Sequence, residues 1–454
     1  MTLQIPSHCH VRPVKLQGGE LRALHAADPL RFPALLESTG THERLGRYDL
    51  LFGYPQTRLS LRSHGSLDGS VGSDFLAALD QSWLRDRVSS EPSDLPFTGG
   101  WLLYLGYELA QQIERRLPFM RCVDDLVATA VRIPAAVVRD RIDGQAWIVA
   151  ENGYDAESRE LERELVQVPR IDESRPVQVQ ATSEEDPARF IAVVERCQEY
   201  IRAGDIYQAN LSRRWQAELS RSNAAPDLYQ RLRRANPAPF GALAQLGRLA
   251  IASSSPERLI QVRDGWIASR PIAGTRPRSG NAADDVALLR ELHEHPKERA
   301  EHIMLIDLER NDLGRLCQAG TVEVDEYMTI ETYAHVHHIV SNVRGRLRPQ
   351  ATPGQIIAAT FPGGTITGCP KVRCMQIITE LEQAGRGPYT GSLGYLNRDG
   401  SMDLNILIRT LEVRGQQLSF RAGAGIVADS IPERELAETR AKARGLLQAL
   451  EIGA

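Results

Sequence analysis

Three strand-like segments, 391–398, 402–413 and 417–427, follow one another with only the turn sequences Asn397-Arg398-Asp399-Gly400 and Val413-Arg414-Gly415-Gln416-Gln417 between them. Connections this short join antiparallel neighbours, so the chain is expected to build hairpins within an α+β architecture. Further predicted strands at 249–262, 321–328 and 335–346 alternate irregularly with predicted helices at 284–293, 296–305, 353–359, 369–384 and 432–450. No internal repeat is present.

Upstream, residues 1–170 carry short apolar runs such as 48–54, 99–110, 128–140 and 145–152, read mostly as strands between polar turns. The stretch 168–189, rich in Pro, Ser and acids, reads as a connector. Asp186 before Pro187 then starts a helix to about Ala203, with a turn at Gly204 and a strand from Tyr207. The expected division is an N-terminal region, 1–170, partly interleaved with a catalytic region, 186–450.

The chain has 454 residues, 42% hydrophobic and 25% charged, with a formal net charge of -4. That is the composition of a globular protein without the basic excess that attracts nucleic acid, so no nucleic-acid partner is expected. No stretch reaches the roughly 20 apolar residues of a membrane span and the first residues lack a signal-peptide pattern, so a cytoplasmic location is expected. The six cysteines form no CxxC pair and are read as reduced thiols. Cys9, between His8 and His10, reads as part of a solvated tail rather than a metal site.

Charge patterning is more specific. Glu298 and Glu301 share one face of a helix starting near Pro296, and Glu435 and Glu438 share one face of a helix starting near Pro432, with Lys442 four residues on. Converging pairs would need a cation, and Mg²⁺ is the hard ion held by carboxylates, water and an anionic substrate. By spacing alone such pairs usually decorate solvated faces.

Glycines supply a second candidate. Gly423 and Gly425 end a strand, where bare backbone can approach a carboxylate or simply form a bulge. The loop Gly363–Gly368 has nearly the spacing of a P-loop, but Cys369 and Pro370 precede Lys371; it is either an anion-binding helix start with Lys371 as helper or a structural turn. His335 and His337 share one face of a predicted strand and His338 takes the other; an oriented acid or hydrogen-bond donor is the economical reading.

In order between residues 253 and 439, the segments 253–259 (SSSPERL), 269–278 (SRPIAGTRPR), 297–302, 307–315 (DLERNDLGR), 331–341 (ETYAHVHHIVS), 363–375 (GGTITGCPKVRCM), 387–396, 403–410 and 422–439 resemble the chorismate-utilising enzymes. That family comprises anthranilate synthase large subunits, aminodeoxychorismate synthase component I, and isochorismate or salicylate synthases. The resemblance implies large antiparallel sheets packed as a sandwich with helices outside. It also implies Glu301 and Glu438 as direct Mg²⁺ ligands, with Glu298 and Glu435 acting through water.

By the same resemblance Gly423, Ala424, Gly425 and Lys442 cradle the ring carboxylate of chorismate, and Tyr389 and Arg409 anchor the enolpyruvyl carboxylate. Thr365 and His338 lie beside the ring and its C4 hydroxyl, with Thr275 in the same catalytic set. Glu257 corresponds to the acid that protonates the leaving hydroxyl, for which its pKa must be raised.

Isochorismate and salicylate synthases activate water with a Lys where this chain has Gln208, so ammonia is the implied nucleophile. Segments 307–315, 331–338 and 364–371 look more like aminodeoxychorismate synthase. Ala273, in place of the lysine that better-known aminodeoxychorismate synthases use as a covalent nucleophile, looks like anthranilate synthase. No segment resembles a glutaminase, which implies a separate glutamine amidotransferase subunit, and no lyase domain is visible. Leu36, Ser38, Pro239 and Phe240 resemble the family's tryptophan site, or else a vestigial core strand and turn.

Overall fold

The computed structural model describes the chain except residues 1–2, 41–45, 119–121, 123–124, 169–176, 278–280, 282–288, 291–295, 333–335 and 452–454. His335 and most of the predicted helix 284–293 therefore lie outside the described residues.

Two large antiparallel sheets of 12 and 11 strands form the body of the protein. The first runs in space from Cys9–Val14 through strands 146–151, 135–140, 48–53 and 34–37, continues with 240–246, 249–255, 410–414 and 417–426, and ends with 208–219 and 179–184. The second contains 272–277, 336–346, 266–269, 258–263, 402–405, 392–397, 100–105, 126–133 and 58–62 in that order. In each sheet the strands before residue 152 lie side by side and join the later strands at one seam, 34–37 beside 240–246 in the first and 100–105 beside 392–397 in the second.

Period-two burial explains why the sheets stack. Along Gly100–Leu105 the side chains of Leu102 and Tyr104 enter the layer between the sheets, with Phe52, Val131 and Ile251. Trp101, Leu103 and Leu105 face the opposite way and pack with helix Phe75–Asp86 and helix Pro353–Thr360. Alternation along a pleated strand thus feeds two apolar layers at once, each fully buried large side chain contributing roughly 1.5–3 kcal/mol. The first sheet's other face is covered by the helices Glu20–Ala27, Asp155–Val166, Ala225–Ala235 and Pro432–Ala449. The sandwich with outer helices agrees with the expectation.

Four local expectations change. Segment 249–262 is two strands, Leu249–Ser255 in the first sheet and Arg258–Arg263 in the second. Segment 402–413 likewise splits into Met402–Asn405 and Thr410–Arg414, one in each sheet. Within the supposed connector, Val179–Glu184 pairs with Gln208–Leu219 as an edge strand whose exposed polar side chains disguise it. Cys9 is no solvated tail: it is 6% exposed and opens a strand paired with Ala146–Glu151. All six cysteines are free thiols. Among the described residues, no helix is long and apolar enough to cross a membrane.

Candidate active site

Both splits occur where the chain crosses between sheets, and each crossing carries a functional candidate: Glu257 in one, Arg409 in the other. The crossings are tied together, since the Ile406 amide donates to the Glu257 carbonyl at 3.0 Å and the Ser254 amide to the Arg409 carbonyl at 3.1 Å. Arg409 has φ 51°, a left-handed conformation that L-residues with large side chains adopt only where the surroundings enforce it.

Glu257 is 7% exposed and accepts a hydrogen bond from Thr365 Oγ1 at 2.6 Å. Burial pushes its carboxyl from 4.5 up to about 7, outweighing the Thr365 hydrogen bond and the nearby charges of Lys442 and Arg409, which favour the anion. A carboxyl of this kind can hold a proton near neutral pH and release it to a leaving group.

The loop bearing Thr365 is sewn to the strand bearing Gln208. Tyr207 donates its amide to the Cys369 carbonyl at 2.8 Å, Asn210 donates to Thr367 at 3.0 Å, and Gln208 and Ala209 pair with Cys369 and Gly368. Lys371 is not an anion helper: its ammonium pairs with the buried Asp312 and donates to the Thr360 carbonyl at 3.4 Å, so it closes the structure beneath the loop.

On the neighbouring strand the glycines do not form a bulge. Asn210 faces Gly425, Leu211 faces Ala424 and Ser212 faces Gly423 in an unbroken ladder. Their lack of side chains serves close approach: a Cβ on Gly423 would stand 2.6 Å from Tyr389 Oη, and one on Gly425 2.5 Å from Gln208 Nε2. Of the strand Gln417–Ile426, only residues 417–419 pair with Thr410–Arg414, so among the described residues the other edge of 420–426 has no strand partner and keeps outward-facing amides. Lys442 Nζ donates to the Gly423 carbonyl at 3.0 Å, completing a cationic corner beside that edge. Gln208 Oε1 is buried without a hydrogen-bond partner among the described residues.

His338 is 4% exposed and pairs in the ladder with Thr275, of which only the backbone is described; Ala273 lies opposite Ile339. Burial, with Arg409 nearby, lowers His338 to about 4, so the imidazole is neutral around pH 7 and able to donate or accept a hydrogen bond. His337, on the other face, shares a hydrogen bond of 2.9 Å with Thr332 Oγ1. Sequence reasoning missed Glu309, buried at 5% exposure, whose carboxyl is raised by burial and then by Asp312. In the sequence Glu309 and Asp312 look like any solvated helical acid pair; their burial follows from packing against the loop, where a Cβ on Gly364 would meet Glu309 Oε1 at 3.3 Å.

The four carboxylates proposed for a metal lie on two helices, Glu298 and Glu301 on Pro296–Gly314 and Glu435 and Glu438 on Pro432–Ala449. Glu438 pairs with Lys442 at 2.7 Å. Among the described residues no group of three or more His, Cys, Asp or Glu is close enough to hold an ion. The donors nonetheless fit Mg²⁺, which takes one or two carboxylates, waters and an anionic substrate rather than an all-protein cage.

A separate cavity of about 350 Å³ is lined by Leu36, Tyr48, Pro239, Phe240, Arg258 and Asp403, among others. Ser38 is not part of its wall; its amide donates to buried Asp49 at 3.2 Å. Arg258 closes one side, stacked 5.1 Å from the centre of the Phe240 ring and paired with Asp403 at 2.9 Å.

The family model for chorismate binding enzymes matches residues 35–448. The chain is 42% identical over 421 residues to the anthranilate synthase component I-like protein of Synechocystis sp., covering 90% of this chain and 84% of that one. It is 39% identical over 386 residues to aminodeoxychorismate synthase component 1 of Bacillus subtilis, covering 82% of this chain and 81% of the other. Among solved structures, anthranilate synthase component I of Streptococcus pneumoniae superposes with a TM-score of 0.78 at 33% identity, covering 88% of this chain and 92% of that one. The family match across nearly the whole chain, together with relatives and a solved structure above 30% identity, shows it: the protein is a chorismate-utilising enzyme of the chorismate-binding family, closely related to anthranilate synthase component I.

Proposed function

We propose that the chain aminates chorismate with ammonia to give 4-amino-4-deoxychorismate. The observation that carries the reading is the Glu257 carboxyl, buried, hydrogen-bonded to Thr365 and held near neutrality. Chorismate would lie with its ring carboxylate at the 423–425 edge and Lys442, and its enolpyruvyl carboxylate between Tyr389 and Arg409, a planar partner for two oxygens. Glu257 protonates the C4 hydroxyl as it leaves, and neutral His338 steadies that hydroxyl by hydrogen bonding. When bound through Glu301 and Glu438, with Glu298 and Glu435 behind water, Mg²⁺ would supply charge neutralisation at the ring carboxylate.

Gln208 carries no base that could activate water, which supports ammonia as the nucleophile. Ammonia arrives at C2 as water departs from C4; a second ammonia then enters at C4 and the first departs from C2, so the net change exchanges hydroxyl for amine. The segments around Glu309, His338 and Thr365 support 4-amination, as does the likeness to the Bacillus subtilis protein.

A second reading, formation of anthranilate and pyruvate from the C2 adduct, rests on one specific feature. Ala273, 8% exposed, offers no nucleophile where a covalent route would need a lysine, and most named relatives are anthranilate synthases. Ammonia would come from a separate glutamine amidotransferase subunit, and 4-aminobenzoate release from a separate lyase. The 350 Å³ cavity has the size of a small-molecule site and would take tryptophan, as regulator or structural ligand, against Leu36, Pro239 and Phe240. Product analysis of the purified chain with chorismate, Mg²⁺ and ammonium, with and without an aminodeoxychorismate lyase, tests the reading: 4-aminobenzoate only with lyase supports it.

A further inference from the structure

Behind the carboxylate anchors lies a buried charge network that the chemistry above does not use. Arg386 is 1% exposed. Its guanidinium reaches three segments that meet at the site: Nη2 donates to the Asn210 carbonyl at 2.6 Å, and Nη1 to Thr390 Oγ1 at 3.3 Å and to the Ile366 carbonyl at 3.5 Å. Asn210 sits opposite Gly425, Ile366 follows Thr365, and Thr390 follows Tyr389. One side chain therefore bonds the cradle strand, the catalytic loop and the anchor turn.

The guanidinium is itself fixed from behind. Glu382 receives Nε at 3.0 Å and Nη2 at 2.7 Å, a two-toothed pairing that only a planar fork can make. The same carboxylate accepts the Ser212 amide at 2.8 Å, opposite Gly423, and Nη2 of Arg421 at 3.1 Å. Burial alone would raise Glu382, but Arg386 and Arg421 outweigh it and hold the carboxylate charged. The plane of Arg386 lies 4.8 Å from the centre of the Tyr107 ring and 5.6 Å from that of Tyr389. The Arg386 carbonyl also accepts the Tyr389 amide at 3.1 Å.

The anchor turn stores strain of the kind that needs such a clamp. Thr390 has φ 61°, a left-handed conformation that a β-branched residue avoids, and its hydroxyl bonds both to Arg386 and to the Tyr389 carbonyl, the latter at 2.6 Å. Burying two arginines against one glutamate is poor economy for stability alone.

We propose that Arg386 is a positioning residue: its fork locks Tyr389 and the 423–425 edge in the spacing that receives the two carboxylates of the substrate. The inference rests on the placement of chorismate between Tyr389, Arg409 and the glycine edge proposed above.

The test is a double-variant cycle on the chorismate dissociation constant, measured by calorimetry with Mg²⁺ and no ammonium, using Arg386→Lys, Tyr389→Phe and both together, with thermal unfolding of each. Lysine keeps the charge toward Glu382 but cannot span three acceptors. The expected result is about tenfold weaker binding for each single variant, with the Tyr389→Phe effect falling below about threefold in the Arg386→Lys background. Additive effects, or unchanged binding by Arg386→Lys, would overturn the inference alone. Wild-type protein that does not bind chorismate would overturn the site reading with it.

Thr390→Gly covers the case in which Arg386→Lys does not fold, because glycine accepts a positive φ freely while removing the hydroxyl between Arg386 and Tyr389. It is expected to fold and to weaken chorismate binding several-fold; wild-type affinity in that variant would overturn the proposal.

Discussion

Thr365 donates a 2.6 Å hydrogen bond to Glu257, joining the glycine-rich loop to the first crossing between the two sheets. That bond works against burial, favouring the carboxylate while the apolar surroundings favour the acid. The balance leaves Glu257 able to give up a proton near neutral pH.

Activity is therefore expected to fall as pH rises through about 7, because the protonated acid is the competent form. Thr365→Val removes the hydrogen bond that stabilises the anion, so the alkaline limb of the pH–rate profile is expected at higher pH. A limb moving to lower pH in this variant would show that another group titrates there.

Glu257→Gln is expected to lose activity by about 10²–10⁴-fold, the usual contribution of a general acid. Its stability should move the other way. The folded pKa lies above the ordinary value of 4.5, so the folded chain binds more protons than the unfolded chain between about 4.5 and 7. Stability contributed by the protonated group is complete below 4.5 and lost as pH rises through 7, by roughly 3 kcal/mol. Denaturant unfolding should show Glu257→Gln more stable than wild type at pH 8 and little different at pH 4.

His338, lowered by burial to about 4, is expected to show no imidazole titration between about pH 5 and 8 by NMR. His338→Gln, which keeps a neutral hydrogen-bonding group, should retain more activity than His338→Ala. Equal losses would remove the hydrogen-bonding role.

Glu301→Gln and Glu438→Gln are expected to weaken apparent Mg²⁺ affinity by at least about tenfold, measured as the Mg²⁺ concentration giving half-maximal turnover. Glu298→Gln and Glu435→Gln should weaken it less, since their role runs through water.

Much of the sheet layer was legible because alternation along strands such as Gly100–Leu105 is a local property of the chain. The crossings were less so: 249–262 reads as one strand, although its middle, Ser253–Arg258, is polar and Pro256 cannot donate to a ladder, and the structure puts the two halves in different sheets. The edge strand Val179–Glu184 escaped because its side chains are exposed and polar. Candidate site residues borne on motifs were named by resemblance, whereas Glu309 and Arg386 were not, since burial of a charged residue is decided by distant segments. Lys371 carried a misleading signal, its spacing after Gly363 suggesting an anion where the fold supplies Asp312.

The most direct measurement is the identity of the product when the purified chain is incubated with chorismate, Mg²⁺ and ammonium, separated by chromatography and identified by mass, with and without aminodeoxychorismate lyase. Expected is 4-aminobenzoate that appears only with the lyase, which would establish 4-amination without a lysine at Ala273. Anthranilate formed without the lyase would contradict it and assign the reaction to the anthranilate branch.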